Sequence, residues 1–378
     1  MNEDKSSRYN RLKRQVTVMS ALASAALLAL LLVTGGSRLL RDMAEWVGSL
    51  PGLSLLGAPV VVSAYVVSLT LLNELLGLPF AFYGGFVLER RYGLSRQPLG
   101  HWLLDELKSL ALMLLFGVVG VWFLYALIGR FPIWWWLPAG GVCALLLIGL
   151  ANLAPLLFLP LFYSIKPLAK ASLRERLVGL GERAGARVLD AYEWGLGAKT
   201  TKANAALTGV GASRRILVSD TMLAQFSDDE IEVVLAHELA HHVHGDIWKG
   251  LAFETCLIVL GFFVASKGLA LAVPFAGLRG PDDLAGLPLL LLSAGAVSLA
   301  MLPVAHAMSR AHERRADRFA LQLTRNPAAF ITAMRRLGQQ NMAEDEPSAL
   351  VQWLFYSHPP IRERIAAAQA LLRSEVRS

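Results

Sequence analysis

The chain has 378 residues, 55% of them hydrophobic, with a mean hydropathy of +0.48 and a formal net charge of +7. So much apolar sequence excludes an ordinary soluble globule and indicates a polytopic membrane protein with a modest soluble part. Only two cysteines occur, Cys143 and Cys256, both within apolar runs, which excludes a cysteine zinc cage and a disulfide framework.

The amino terminus carries Lys5, Arg8, Arg11, Lys13 and Arg14 ahead of an uncharged run at 16–34. That order could be misread as a cleaved signal peptide; the length of the run and the later spans favour a retained anchor. Further uncharged runs lie at 53–73, 109–129, 131–165 and 284–309, and 248–267 adds a sixth span bearing Glu254. Glu254 and the pair Asn73 and Glu74 are polar groups in apolar surroundings, lining a hydrated cavity or marking span ends. With Asn152, Glu74 and Glu254 suggest a chamber open to the cytoplasmic face; the plainer alternative is a soluble catalytic domain tethered by inert anchors.

Arg90, Arg91 and Arg96 follow the second span, and 163–247 and 309–378 hold most of the remaining basic residues. The opposite loops hold only Arg38, Arg41, Arg130 and Arg279. The positive-inside rule then places both termini, and the motifs carried by these two basic segments, in the cytoplasm. Topology and contact with anionic lipids account for the net charge, and no nucleic-acid partner is called for.

After the fourth span the chain changes character. Segments 188–194, 203–208 and 215–219 read as short strands between Gly and Lys/Thr turn clusters. A small sheet with an exposed edge can hold a peptide in extended form by backbone pairing. Next, Ser227 and Glu230 form a capping box, with Asp228 and Asp229 in the first turn. The helix they start carries His237, Glu238 and His241, an H-E-x-x-H pattern. Four residues apart, both imidazoles leave one helix face and can share a zinc ion, while Glu238 can serve as the base. The bland reading is a His-rich solvated surface, since His242 and His244 are also present.

Zinc needs a third protein ligand. His244 cannot converge with the other two on one straight helix, and Ile247 stands where a glycine-turn pattern would want histidine. Glu313 and Asp317, one helical turn apart, are the better candidates: Glu313 as ligand, Asp317 as acceptor from a ligand histidine. Alternatively both neutralise Arg310, Arg314 and Arg318. Topology favours the first reading. The runs at 248–267 and 287–307 form an antiparallel hairpin, so His241 and Glu313 each overshoot its inner ends by about six or seven residues, or ~10 Å, and arrive at similar depth. Beyond them, 319–340 and 360–376 read as helices bracketing Tyr356, Ser357, His358, Pro359 and Pro360.

Assembled, these pieces resemble the Ste24 family of integral-membrane zinc metalloproteases, the type I CAAX prenyl proteases. The likeness runs from about Leu75 onward through Leu78-Pro79-Phe80, Phe86 to Glu89, Tyr92-Gly93, Leu99-Gly100, Asn204-Ala205, Arg215-Ile216 and Ser219-Asp220-Thr221. The H-E-x-x-H helix, Glu313 with Asp317, and Ser357-His358-Pro359 with Arg364 complete it. The resemblance implies a mainly α polytopic membrane protein of about six transmembrane helices with a small α+β, gluzincin-like catalytic subdomain at the cytoplasmic face. Residues 1–162 would be a membrane region of four helices, and 163–378 an M48-type metalloprotease domain interrupted by the hairpin at about 248–307. It implies one zinc per chain on His237, His241 and Glu313, with Asp317 behind them, and hydrolysis of peptide bonds by a zinc-activated water with Glu238 as base. It also implies that Asn204 lies at the substrate-holding strand and that His358 and Arg364 line the reaction centre. Eukaryotic members carry an additional N-terminal span that this chain lacks, and its alanine-rich membrane segments look bacterial, implying an inner-membrane protein. The expected partners are membrane lipids and a peptide or protein, prenylated or not. A quality-control protease for damaged membrane proteins has the same chemistry, and a non-catalytic scaffold stabilised by zinc would have no need of Glu238. A protease cutting within a transmembrane helix fits poorly, because 227–246 is too charged for hydrocarbon.

Overall fold

The structure, a computed structural model, describes residues 4–209 and 214–375, apart from the side chains of residues 152, 154–156, 374 and 375. Helix α1 (Lys5–Thr34) ends at Gly35, whose φ of 80° is left-handed, and α2 (Gly36–Ser49) starts at once. Then come α3 (Ala58–Ala81), a π-helical turn at Phe82–Val87 and α4 (Leu88–Arg91), which together make one rod. α5 (Leu99–Arg130), α6 (Trp136–Leu157) and the short α7 (Leu159–Phe162) complete the first half.

Among the described residues, five of the apolar runs lie in helices long and apolar enough to cross a membrane: Lys5–Thr34, Ala58–Arg91, Leu99–Arg130, Asp246–Ala272 and Leu284–Thr324. The sixth, 131–165, holds α6 (Trp136–Leu157, 22 residues), and only its tail departs from expectation, ending in α7 and in β1 (Ser164–Pro167). Pro160 in the first turn of α7 restarts the helix, and Ile165 then pairs with Trp194 in a sheet instead of facing lipid. Of the polar residues in the spans, Asn73 accepts a hydrogen bond from Ser24 Oγ on α1 at 2.6 Å, and Glu254 is exposed. The Asn152 side chain lies outside the described residues.

On the opposite side from the sheet, α2 is amphipathic. Arg41, expected to be a loop charge, is buried and paired with the fully buried Asp283 at 2.6 Å. Tyr65, Tyr125, Ile128 and Trp135 form the packed centre of the helical bundle beside them.

The layer outside the helical bundle begins with β1, then α8 (Ala171–Arg183), β2 (Asp190–Gly195), β3 (Ala205–Thr208), β4 (Arg215–Ser219) and α9 (Asp220–Gln225). The sheet order is β1-β2-β4-β3: β1 runs antiparallel to β2, β2 parallel to β4, and β4 antiparallel to β3. Three of these strands match the sequence expectation closely, and β3 is an edge. α10 (Asp228–Val243) packs against α8, β3 and α12. α11 (Asp246–Ala272) and α12 (Leu287–Thr324) form the hairpin, and α13 (Pro327–Gln340), α14 (Ala349–Phe355) and α15 (Ile361–Glu375) complete the chain. Leu177, Ile216, Met222, Leu235 and Phe330 share the core of this layer. A 38-residue helix is about 57 Å long against a hydrocarbon core of about 30 Å. Helix α12 therefore carries its carboxyl-terminal turns out of the bundle and into the soluble layer.

Candidate metal centre

The site is assembled by α10 and α12. Ser227 Oγ accepts from the Glu230 N–H at 3.3 Å, and Glu230 Oε2 accepts from the Ser227 N–H at 2.8 Å, so the capping box anchors the start of α10. Two turns on, His237 and His241 face the same way, their ring centroids 5.0 Å apart. Glu313 on α12 meets both. Its Oε2 lies 3.2 Å from His237 Nε2 and its Oε1 3.4 Å from His241 Nε2. Ligand atoms about 2.0–2.1 Å from a tetrahedral zinc ion stand about 3.3–3.4 Å from one another, and each imidazole has one Glu313 oxygen, a different one in each case, at about that distance. All three ligand atoms lie within 4.8 Å of one another.

Two further observations fit a cation here. Glu313 Oε2 is buried and makes no hydrogen bond of acceptable geometry, although His358 Nδ1 is 2.8 Å away. Burial works against an imidazolium at His237, yet Asp317 and Glu313 outweigh it and push its pKa up to about 9. The cluster thus calls for positive charge between its members.

Each histidine has a carboxylate behind it. Asp317 Oδ1 is 2.9 Å from His237 Nδ1, and Asp246 Oδ2 is 3.1 Å from His241 Nδ1. A carboxylate at Nδ1 selects the tautomer that presents a bare Nε2 to a metal. Sequence reasoning missed Asp246. Gly245, at φ 66°, takes the left-handed turn between α10 and α11 that returns Asp246 onto the imidazole five residues earlier. Three neighbouring histidines stay out of the centre. His242 Nε2 is 3.2 Å from Leu207 O, His244 Nδ1 is 2.8 Å from Ala240 O, and His312 Nε2 is 3.9 Å from Asp246.

Glu238 is half-buried at the cleft beside the centre. Burial raises its pKa above the ordinary carboxylate value, with the His237 and His241 charges pulling the other way. The cleft has a volume of about 350 Å³, and Asn204, Glu238, Tyr356 and His358 line it. His358 is largely exposed there. Arg364 also lines the cleft. Its Nε and Nη2 donate to Asp317 at 2.9 and 2.5 Å, and Nη2 sits 3.2 Å from His237 Nδ1. Those contacts are behind His237, on the side away from Nε2.

The amino-terminal helix also reaches the cleft, which its basic residues, legible in the sequence only as a topology signal, did not reveal. Arg14 Nη1 donates to Glu344 Oε2 at 2.6 Å and to Tyr356 Oη at 2.9 Å. Buried Glu89 accepts from Tyr9 and Lys13 and pairs at 3.0 Å with Lys202, two residues before Asn204.

Two family models match successive parts of the chain. The family described as CAAX prenyl protease N-terminal, five membrane helices, matches residues 2–164, and Peptidase family M48 matches 167–372. The chain is 31% identical over 309 residues to an uncharacterised metalloprotease, YhfN, of Bacillus subtilis, covering 81% of this chain and 72% of that protein. It is 28% identical over 308 residues to a probable CAAX prenyl protease 1 of Schizosaccharomyces pombe, covering 80% and 64%. Its fold is similar to the crystal structure of S. mikatae Ste24p, with a TM-score of 0.84 at 23% identity over 96% of this chain and 87% of that one.

Proposed function

The chain belongs to peptidase family M48 and is an integral-membrane metalloprotease; from that premise we propose that it uses one zinc ion to hydrolyse extended peptides. His237, His241 and Glu313 would hold the ion. The observation that carries this is the meeting of two helix-borne imidazoles with a carboxylate from the far arm of a membrane hairpin, their ligand atoms within 4.8 Å of one another and beside Glu238.

When bound, zinc acidifies water and polarises a carbonyl as a Lewis acid. Glu238 takes the proton of the attacking water and delivers it to the leaving amine. Its position in the cleft and its burial support that role, since a carboxyl with a raised pKa both accepts and returns a proton. His358, exposed in the same cleft, donates to the oxyanion that develops on the carbonyl, a contribution of roughly 3–4 kcal/mol for one good donor. Arg364 supports this centre indirectly, by holding Asp317 against His237. The open edge of β3, with Asn204 at its start, receives the peptide as an added strand.

The distribution of basic residues supports a cytoplasmic site in a bacterial inner membrane. Helices α11 and α12 run continuously from the bundle to the metal centre, which supports entry of a peptide or lipid-anchored tail at that membrane face. The test uses purified full-length protein on a farnesylated CAAX peptide and on an unfolded membrane protein, with and without a zinc chelator. Chelator-sensitive cleavage is expected, and the preferred substrate separates prenyl-peptide processing from quality control. Cleavage indifferent to the chelator, or none by zinc-replete protein on either substrate, overturns the reading.

A further inference from the structure

An antiparallel ladder turns the backbone groups of alternate residues to alternate sides. Asn204 faces β4: its C=O accepts from the Ser219 N–H at 2.9 Å, and its N–H donates to Ser219 Oγ at 2.9 Å. Alternation therefore aims the N–H and C=O of Ala203, Ala205 and Leu207 at the open edge of β3. A free edge would offer a peptide a pair of bonds at each of these residues.

Most of that edge is already taken. The Ala203 N–H donates to Asn341 Oδ1 at 3.0 Å, and the Ala203 C=O accepts from Asn341 Nδ2 at 3.2 Å. A carboxamide carries donor and acceptor side by side, as a peptide group does, so Asn341 occupies Ala203 as a strand residue would. At the other end, Leu207 C=O meets His242 Nε2 at 3.2 Å. Ala205 lies between them and lines the cleft with His237 and Glu238.

Asn341 is firmly held. It comes directly after the last residue of α13, its N–H donating to Leu337 O at 2.9 Å, and the neighbouring Gln340 donates to Thr201 O at 2.7 Å. Met342 then turns the chain away at φ 55°, and its carbonyl accepts from Asn10 of α1 at 2.7 Å.

We propose that Asn341 is a ladder stop: it confines two-way backbone pairing of the substrate to the residue opposite Ala205. The inference rests on the reading of β3 as the substrate edge. A peptide bound there leaves the edge where Asn341 begins, so the protease ignores the substrate backbone two residues beyond its paired position.

The test is a scan of single backbone N-methylations through a decapeptide that the zinc-loaded, full-length protein cuts at one bond. N-methylation removes one N–H donor and leaves the side chain alone. Within the alternate residues that face β3, wild type should show one sensitive position, its KM raised roughly three- to tenfold for a lost hydrogen bond while kcat moves less. Asn341→Ala should add a second sensitive position two residues away. Two sensitive positions in wild type overturn the proposal without any variant. A wild-type scan with one sensitive position that Asn341→Ala leaves unchanged, at equal zinc content, overturns the role of Asn341 alone. No sensitive position at all removes the edge reading, and this proposal with it.

Discussion

Asp317 and Asp246 stand behind the two histidines in similar ways, yet removing them should have different consequences. Losing a carboxylate behind a ligand histidine costs about 10–100-fold in metal affinity, or about 1.4–2.7 kcal/mol. Asp317→Asn and Asp246→Asn should both raise the zinc dissociation constant within that range, because their contacts to Nδ1 are alike at 2.9 and 3.1 Å. Fold stability should separate them. Asp317 is also the partner of Arg364, whose side chain is only 10% exposed. Breaking a buried pair from one side leaves an uncompensated charge and costs about 3–5 kcal/mol. The other partners of Asp246, Arg315 and Lys249, are 32% and 48% exposed and can turn to water, for a loss within about 1 kcal/mol. The assay is a zinc titration against a competing chelator, paired with thermal unfolding of the metal-free protein in detergent. Equal destabilisation by the two variants, or an unchanged zinc titration for Asp317→Asn, would refute the reasoning. A double variant, Asp317→Asn with Arg364→Met, should recover much of the stability and none of the affinity.

Glu238→Gln should keep zinc and fold while losing activity by roughly 10²–10⁴-fold, since an amide of similar size accepts no proton; substantial turnover by metal-replete protein points to another base. Glu313→Ala should lose zinc, whereas His244→Ala and His312→Ala should retain it, because those imidazoles contact Ala240 O and Asp246 instead; metal analysis showing the reverse overturns the ligand set. Joining 163–247 to 309–378 by a flexible linker should give a chain that neither binds zinc tightly nor cleaves peptides, because α11 and α12 bring Glu313 to the histidines. Wild-type rates from that chain would make the spans mere anchors.

Local chemistry made much of this protein legible in its sequence. The capping box at Ser227 and Glu230, the four-residue histidine spacing and the long uncharged runs each act within a few turns of helix, where spacing alone decides which groups share a face. Even the meeting of Glu313 with His241 could be argued, because a membrane fixes the length of a hairpin and so the depth reached by the residues just beyond each arm. Tertiary structure decided the rest. Strand β1 lay hidden at the end of an apolar run, since periodicity does not separate a short strand from the tail of a helix; only pairing with β2 did. Asp246 reached His241 through one left-handed glycine, and Arg364 found Asp317 because a buried guanidinium needs a carboxylate. Arg14 and Glu344, 330 residues apart, and Asn341 and Ala203, 138 apart, carry no local signal of their pairing. Charge and amide chemistry are short-ranged in space and indifferent to chain distance, so a sequence shows that such groups need partners and only the fold chooses them.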